Sequence, residues 1–86
     1  MNGAIRWTPR AEKDLRQLDR TERDKVIAAV VRFGEEGIGD ARRLQDVTPP
    51  EFRLRVGDLR VRFGFDEKQG AMVILRILRR DKAYKR

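Results

Sequence analysis

The clearest pattern in the chain is an alternation of apolar residues and arginines between residues 51 and 65. Because successive side chains of a β-strand point to opposite faces, this pattern predicts two half-buried strands. Gly57 and Asp58 separate them and are typical of a short turn between antiparallel neighbours. One face of this pair then carries Phe52, Leu54, Val56, Leu59, Val61, Phe63 and Phe65. The other face carries Arg53, Arg55, Arg60 and Arg62.

The segment before these strands predicts one strand and two helices. Residues 4–7 form a short first strand, and Thr8-Pro9 then opens a helix, because Thr is a good N-cap and Pro is tolerated in the first turn. Asp19 and Thr21 are both suitable N-caps for a second helix, which has a broad apolar stripe. Three glycines end that helix and open a loop, namely Gly34, Gly37 and Gly39.

The final third of the chain completes the predicted sheet. Residues 66–70 indicate a turn, and residues 71–78 are almost wholly apolar, which is typical of a central strand covered on both faces. Arg76 interrupts this strand, and it would join the arginine face if Val73, Leu75 and Ile77 faced the helices. The predicted order is βααβββ in one α+β domain over residues 1–86. Two N-terminal helices cover one face of a small, mainly antiparallel sheet, and the open face is basic.

Composition narrows the possible partners and chemistry. The chain of 86 residues has a net charge of +7 and a pI of about 10.8, which indicates an anionic partner such as nucleic acid or an acidic protein. It contains no cysteine and no histidine, so we expect no disulfide, metal or cofactor. Catalysis would then depend on Arg, Lys, Tyr or a carboxylate. No apolar run is long enough to span a membrane, and we expect a cytoplasmic protein.

The arginine face favours phosphate as the ligand. Like charges directly opposite one another destabilise a sheet, and four arginines without a lysine are unusual for a solvated face. A guanidinium presents a planar fork of donors that matches phosphate geometry. A purely solvated face remains the alternative interpretation.

The stretch FRLRVGDLRVRF and the ending ILRRDKAY resemble the RelE/ParE toxin superfamily of bacterial and archaeal toxin–antitoxin systems. An earlier A-x-x-D-L-x-x-L motif, formed by Ala11, Asp14, Leu15 and Leu18, adds to the resemblance, which covers residues 7–84. It implies a RelE-like fold and a toxin held inactive by a cognate antitoxin. Relatives of the RelE branch cut mRNA in the ribosomal A site without metal, by attack of the substrate's own 2′-hydroxyl. Relatives of the ParE branch poison DNA gyrase.

The resemblance also implies roles for individual residues. The implied catalytic set is Arg53, Arg55, Arg60, Arg80 and Tyr84. Further RNA contacts are expected from Arg62, Arg76, Arg79 and Lys82. Arg60 and Arg80 are expected at the surface, where their substitution would leave the fold intact. Arginine replaces the lysines common at the first two positions, and arginine does not give up its proton at neutral pH. The general base could therefore be Tyr84, water or an rRNA group.

Three classes of function remain open from the sequence. The favoured class is a ribosome-dependent endoribonuclease toxin (an mRNA interferase), because the Arg80 and Tyr84 ending resembles the RelE branch. The second class is a gyrase-inhibiting toxin on the same fold. The third is a non-catalytic module that binds RNA or an antitoxin.

Overall fold

The computed structural model of the protein describes residues 4–80 and shows two helices and five strands in that range. The elements are β1 (Ala4–Trp7), α1 (Pro9–Arg16), α2 (Arg20–Glu36), β2 (Asp40–Arg43), β3 (Phe52–Val56), β4 (Leu59–Asp66) and β5 (Ala71–Arg79). They form one mixed sheet with the order β1-β5-β4-β3-β2. Only β1, which pairs with β5, runs parallel to its neighbour, so the predicted α+β class with a mainly antiparallel sheet is confirmed.

The edge strand β2 is the element that the sequence did not predict. Residues 40–43, which lie where a loop was expected, pair antiparallel with residues 52–55 of β3. Their sequence, DARR, is too short and too polar to show a strand pattern by itself. Pairing with the edge of β3 therefore determines the conformation of this segment.

The first helix begins at the predicted cap, Thr8, and the second begins at Asp19, one of its two candidate caps. The Thr8 side chain accepts a hydrogen bond from the backbone N–H of Ala11 at 3.1 Å, and Pro9 opens the first turn of α1. Asp19 caps α2 by accepting from the N–H of Glu22 at 2.8 Å. The helix ends at Gly37, whose left-handed backbone (φ 70°) would strain any residue with a Cβ.

The hydrophobic core lies between the helices and one face of the sheet. Its largest fully buried side chains are Phe63, Leu54, Ile74, Val26, Val30 and Val61. The ring of Phe63 lies 5.3 Å from that of Phe33 in α2 and 5.5 Å from that of Phe52 in β3, measured between centroids. These contacts attach α2 to the centre of the sheet. Within residues 4–80, no helix is long and apolar enough to cross a membrane.

A β-bulge in β5 sets which of its side chains face the core. Arg62 of β4 lies opposite Arg76, but the next residue, Phe63, lies opposite Ile74, so Leu75 is the extra residue. Ile74 and Ile77 are consequently both buried in the core. The sequence left the phase of this strand open: Arg76 would join the arginine face if Val73, Leu75 and Ile77 faced the helices. In the structure Ile77 packs in the core, whereas Val73 and Leu75 line the open side of the sheet. The alternation that buries Met72 and Ile74 points Val73 to the other face, and the bulge displaces Leu75.

Candidate phosphate-binding site

The strand register places the arginines of the open face in rows that cross the sheet. One row contains directly opposed residues from four strands, namely Arg42, Arg53, Arg62 and Arg76. The next row contains Asp40, Arg55, Arg60 and Leu78. Arg53, Arg55, Arg60 and Arg62 therefore share one face, as predicted. Leu54, Val61 and Phe63 are buried on the other.

One end of the open face forms a small polar cleft, hereafter the arginine cleft. It has a volume of about 230 Å³ and is lined by Asp40, Arg42, Arg53, Arg55 and Arg60. Neighbouring strands of a sheet are about 4.8 Å apart, so guanidinium groups from three adjacent strands can reach the same small anion. Four arginines against one aspartate make the cleft strongly positive and suited to phosphate.

Arg60 is the most deeply placed residue of the arginine cleft, with only 3% of its surface exposed. Its Nη1 donates to the carbonyl of Gly57 at 2.8 Å and to that of Leu59 at 2.9 Å. The sequence-based expectation that Arg60 is a surface group is therefore wrong, because its side chain folds back onto the β3–β4 turn. These two bonds fix the guanidinium and leave its Nε and Nη2 donors for other partners.

The arginines at the other end of the open face are neutralised by acidic residues. Arg62 pairs with Glu51 at 2.6 Å. Arg76 pairs at 2.9 Å with Asp14, a buried residue of α1 that also accepts from the backbone N–H of Ile77 at 2.9 Å. Asp14 thereby accepts a hydrogen bond from a backbone N–H of β5 beyond residue 74, where pairing with β1 stops. Arg62 and Arg76 are consequently less available to an outside anion than Arg55, whose side chain is exposed.

Arg55 is the most available cation of the arginine cleft. Its side chain is exposed, and within residues 4–80 it makes no hydrogen bond or ion pair. It lies directly opposite Arg60 on β4 and Asp40 on β2. An anion bound here would separate the two opposed guanidinium groups, which repel one another in its absence.

The structure does not bring Arg79 to the arginine cleft. Arg79 lies opposite Leu59, a core residue, and forms a two-point ion pair with Glu22 of α2 on the helix-covered side, with N–O distances of 2.5 and 3.1 Å. The hydrogen bond from Arg79 lowers the pKa of Glu22 below its ordinary value, and the same bond raises the pKa of Arg79. Arg79 therefore connects β5 to α2.

The remaining predicted site residues lie at or beyond the end of β5. Arg80 is exposed, and its backbone N–H donates to the carbonyl of Asp58 in the β3–β4 turn at 2.8 Å. This bond places the start of the C-terminal segment beside the turn that also anchors Arg60. Lys82 and Tyr84 lie outside the described residues.

Two residues of the arginine cleft, Asp40 and Arg42, were missed by sequence reasoning. Both lie on β2, which was expected to be a loop. The available signal was weak: Ala41, between them, lies opposite Leu54 and packs against the core, so the segment does alternate with period two. Residues 4–80 contain no group of three or more His, Cys, Asp or Glu side chains placed to hold a metal ion.

A second, mainly apolar groove of about 780 Å³ lies beside the neutralised end of the open face. Its apolar lining comes from the loop after β2 and from β4 and β5, and includes Pro49, Pro50, Phe65, Val73 and Leu75. Gly64 also lines this groove, and the carbonyl of Pro50 lies close to it, 3.5 Å from where a Cβ would be. The open side of the sheet thus combines a cationic cleft with an apolar groove.

Comparison with known families identifies the class of protein. Residues 5–84 match the family of ParE toxins of type II toxin–antitoxin systems, parDE. Because the match covers nearly the whole chain, the protein belongs to this family and is a toxin of the RelE/ParE superfamily. The sequence matches none of the curated proteins with which it was compared.

Solved structures of RelE toxins share the fold. The archaeal RelE–RelB complex from Pyrococcus horikoshii OT3 superposes with a TM-score of 0.76 at 20% identity, over 93% of this chain and 97% of that chain. Isolated RelE from E. coli gives 0.71 at 18%, over 90% and 83%. The RelBE2 toxin–antitoxin complex from Mycobacterium tuberculosis gives 0.59 at 27%, over 91% and 98%. The expected RelE-like fold is therefore confirmed.

Proposed function

We propose that this toxin is an mRNA endoribonuclease that acts on the ribosome and so inhibits translation. The observation that carries the proposal is the arginine cleft, where guanidinium groups from three adjacent strands converge on a space of about 230 Å³. A cluster of this kind suits the negatively charged transition state of RNA cleavage by the 2′-hydroxyl, which needs no metal ion.

In this proposal Arg60 and Arg80 hold the scissile phosphate. Arg53 and Arg55 bind the flanking backbone and the charge that develops on the phosphorane, while Tyr84 stacks on a base or relays a proton. Anchoring of Arg60 by two carbonyls supports its role, because a fixed donor does not have to reorganise as charge develops. Removing one such donor typically costs about 3 kcal/mol of transition-state stabilisation, or roughly 100-fold in rate.

The other basic residues serve as secondary RNA contacts in the proposal. Arg62 and Arg76 would contribute less than Arg55, because Glu51 and Asp14 already neutralise them. Arg79 would likewise contribute little, because Glu22 neutralises it on the helix-covered side. Lys82 would add longer-range attraction to RNA, with an affinity that falls as salt rises.

The test is to map mRNA 5′ ends in a translating extract with the wild-type protein, Arg55→Ala and Arg20→Ala. Arg20 is the matched control, because it is an exposed arginine at the start of α2, paired only loosely with Asp24 at 4.0 Å. We expect cuts at the ribosomal A site from the wild type and Arg20→Ala, and a loss of roughly 100-fold for Arg55→Ala. Absence of A-site cuts from the folded wild-type protein would refute the proposal.

Inhibition of DNA gyrase is the second candidate, and the match to ParE toxins favours it. The two candidates differ in product: a gyrase poison accumulates cleaved DNA in a gyrase reaction and leaves mRNA intact. We expect no cleaved DNA from this protein. A protein that yields neither product but binds its antitoxin would be a non-catalytic module.

We also propose that a cognate antitoxin binds across the basic open face or displaces the C-terminal segment around Tyr84. The net charge of +7 supports an acidic partner, and the matched archaeal structure is itself a RelE–RelB complex. Stable complexes of this kind bury on the order of 1,200–2,000 Å². Co-expression with the product of a neighbouring small gene should give co-purification at moderate salt and rescue of growth. Failure of both would remove the main support for this partner.

A further inference from the structure

Asp40 is the one carboxylate, among the described residues, that lines the arginine cleft. It lies on the edge strand β2, directly opposite Arg55 of β3. Directly opposed residues have Cβ atoms about 5 Å apart, so a phosphate bound by Arg55 would lie beside the Asp40 side chain. The charged groups around Asp40 are Arg42 on its own strand, Arg53 and Arg55 on β3, and Arg60 on β4.

The Asp40 carboxylate also differs from Glu51 and Asp14, the acids that neutralise Arg62 and Arg76, in being available. Its ion pair with the Nε of Arg42 spans 4.0 Å, which is longer than a hydrogen bond, and 55% of its side chain is exposed. Within residues 4–80 no hydrogen bond to this carboxylate is formed. By contrast, Glu51 is bound to Arg62 at 2.6 Å, and Asp14 is bound to Arg76 and to the N–H of Ile77.

A free carboxylate weakens phosphate binding in the ground state, because it repels the anion that the surrounding arginines attract. Its presence in a site built only for binding would be unfavourable. None of the neighbouring arginines can accept a proton, because a guanidinium does not lose its own at neutral pH. An aspartate is ordinarily ionised at neutral pH and can accept one.

We propose that Asp40 is the general base of the cleavage reaction, an inference that rests on the proposed endoribonuclease function. The 2′-hydroxyl gives its proton to a carboxylate oxygen of Asp40, and the 2′-oxygen forms a bond to phosphorus. The bond from phosphorus to the 5′-oxygen breaks with its electron pair on that oxygen, which takes a proton from water. The products are a 2′,3′-cyclic phosphate and a 5′-hydroxyl end.

The experiment separates proton transfer from binding by using two mRNAs on purified ribosomes. One mRNA is cleavable, and the other carries a 2′-deoxynucleotide at the scissile position, so it binds without reacting. Asp40→Asn should lower the single-turnover cleavage rate by roughly 100-fold or more. It should bind the deoxy mRNA as tightly as the wild type or more tightly, because a repulsive charge is gone. Asp40→Glu, which keeps the carboxylate, should recover part of the rate.

The matched control is Asp24→Asn, which removes one exposed carboxylate from α2 that does not line the cleft and is likewise only loosely paired. It should leave both rate and affinity unchanged. Thermal melts establish whether each variant is folded. If Asp40→Asn does not fold, Asp40→Ser takes its place.

The outcomes distinguish this inference from the function on which it rests. Wild-type cleavage with an unchanged rate in Asp40→Asn would overturn the role of Asp40 and leave the endoribonuclease standing. If Asp40→Asn lost cleavage rate and affinity for the deoxy mRNA to the same extent, the role of Asp40 as general base would also be overturned. Asp40 would then act on binding or local structure. No cleavage by the wild type would overturn both.

Discussion

Replacement of Arg60 by alanine should destabilise the fold as well as weaken function. Arg60 is 3% exposed, and its Nη1 donates to the carbonyl of Gly57 in the β3–β4 turn and to that of Leu59 just after it. Arg60→Ala removes both bonds and the aliphatic part of a buried side chain. The sequence alone indicated that this change would leave the fold intact, so stability measurements distinguish the two views directly.

The size of the effect follows from those contacts. A hydrogen bond from a charged donor contributes roughly 1.5–3 kcal/mol, but Gly57 is exposed and its carbonyl can bind water after the change. Relief of repulsion from Arg55, directly opposite, offsets part of the loss. The expected decrease in the free energy of unfolding is about 2 kcal/mol, which corresponds to roughly 10 °C in Tm for a domain of this size.

Urea and thermal denaturation of purified protein provide the assay, with Arg55→Ala as the matched control on the facing strand. Arg55 is exposed and has no hydrogen bond within residues 4–80, so its removal should change stability by less than about 0.5 kcal/mol. Arg60→Ala with the same midpoint as the wild type would refute the structural role of Arg60. A loss of toxicity in Arg60→Ala is informative about phosphate binding only under conditions in which the variant is folded.

Three further predictions concern two ion pairs of the fold and the proposed proton transfer. The hydrogen bond from Arg79 lowers the folded-state pKa of Glu22 below its ordinary value of 4.5. Their ion pair therefore stabilises the fold above pH 4.5, and this contribution is lost as the pH falls through the folded-state pKa. In Glu22→Gln, the free energy of unfolding measured by urea titration should therefore depend less on pH in the acid range. Asp14→Ala should cost about 3 kcal/mol in the same assay, since it leaves the Ile77 N–H and Arg76 unpaired; an unchanged midpoint would contradict this. Tyr84→Phe should retain cleavage if Asp40 takes the proton, because stacking survives the loss of the hydroxyl; loss of cleavage would assign the proton transfer to Tyr84.

Local patterns in the sequence predicted most of the fold. The period-two alternation at residues 52–63 identifies both strands and the face on which their side chains lie, because successive side chains of a strand point to opposite faces. The caps at Thr8 and Asp19 depend only on neighbouring residues; Thr8 begins α1 as predicted, and Asp19 begins α2 in preference to Thr21, the other candidate. The basic open face follows from these local features together.

Other features depend on contacts between distant residues, which no local pattern contains. The edge strand β2 exists because β3 offers it a pairing partner. Arg76 is neutralised by Asp14, 62 positions earlier in the chain. The alternation of side chains along β4 placed Arg60 on the correct face, but it could not show that the side chain folds back onto the β3–β4 turn. The sequence therefore predicted the arginine-bearing face of β3 and β4. It did not predict that Asp40 and Arg42 complete the lining of the arginine cleft.

The most direct test of the account is a reconstituted ribosome that holds a defined mRNA codon in its A site. Wild-type toxin should cut this mRNA within the A-site codon and leave a 2′,3′-cyclic phosphate and a 5′-hydroxyl end, with EDTA-treated toxin equally active at constant ribosomal magnesium. Intact mRNA in this assay, together with cleaved DNA in a parallel gyrase reaction, would contradict the account and establish the protein as a gyrase inhibitor.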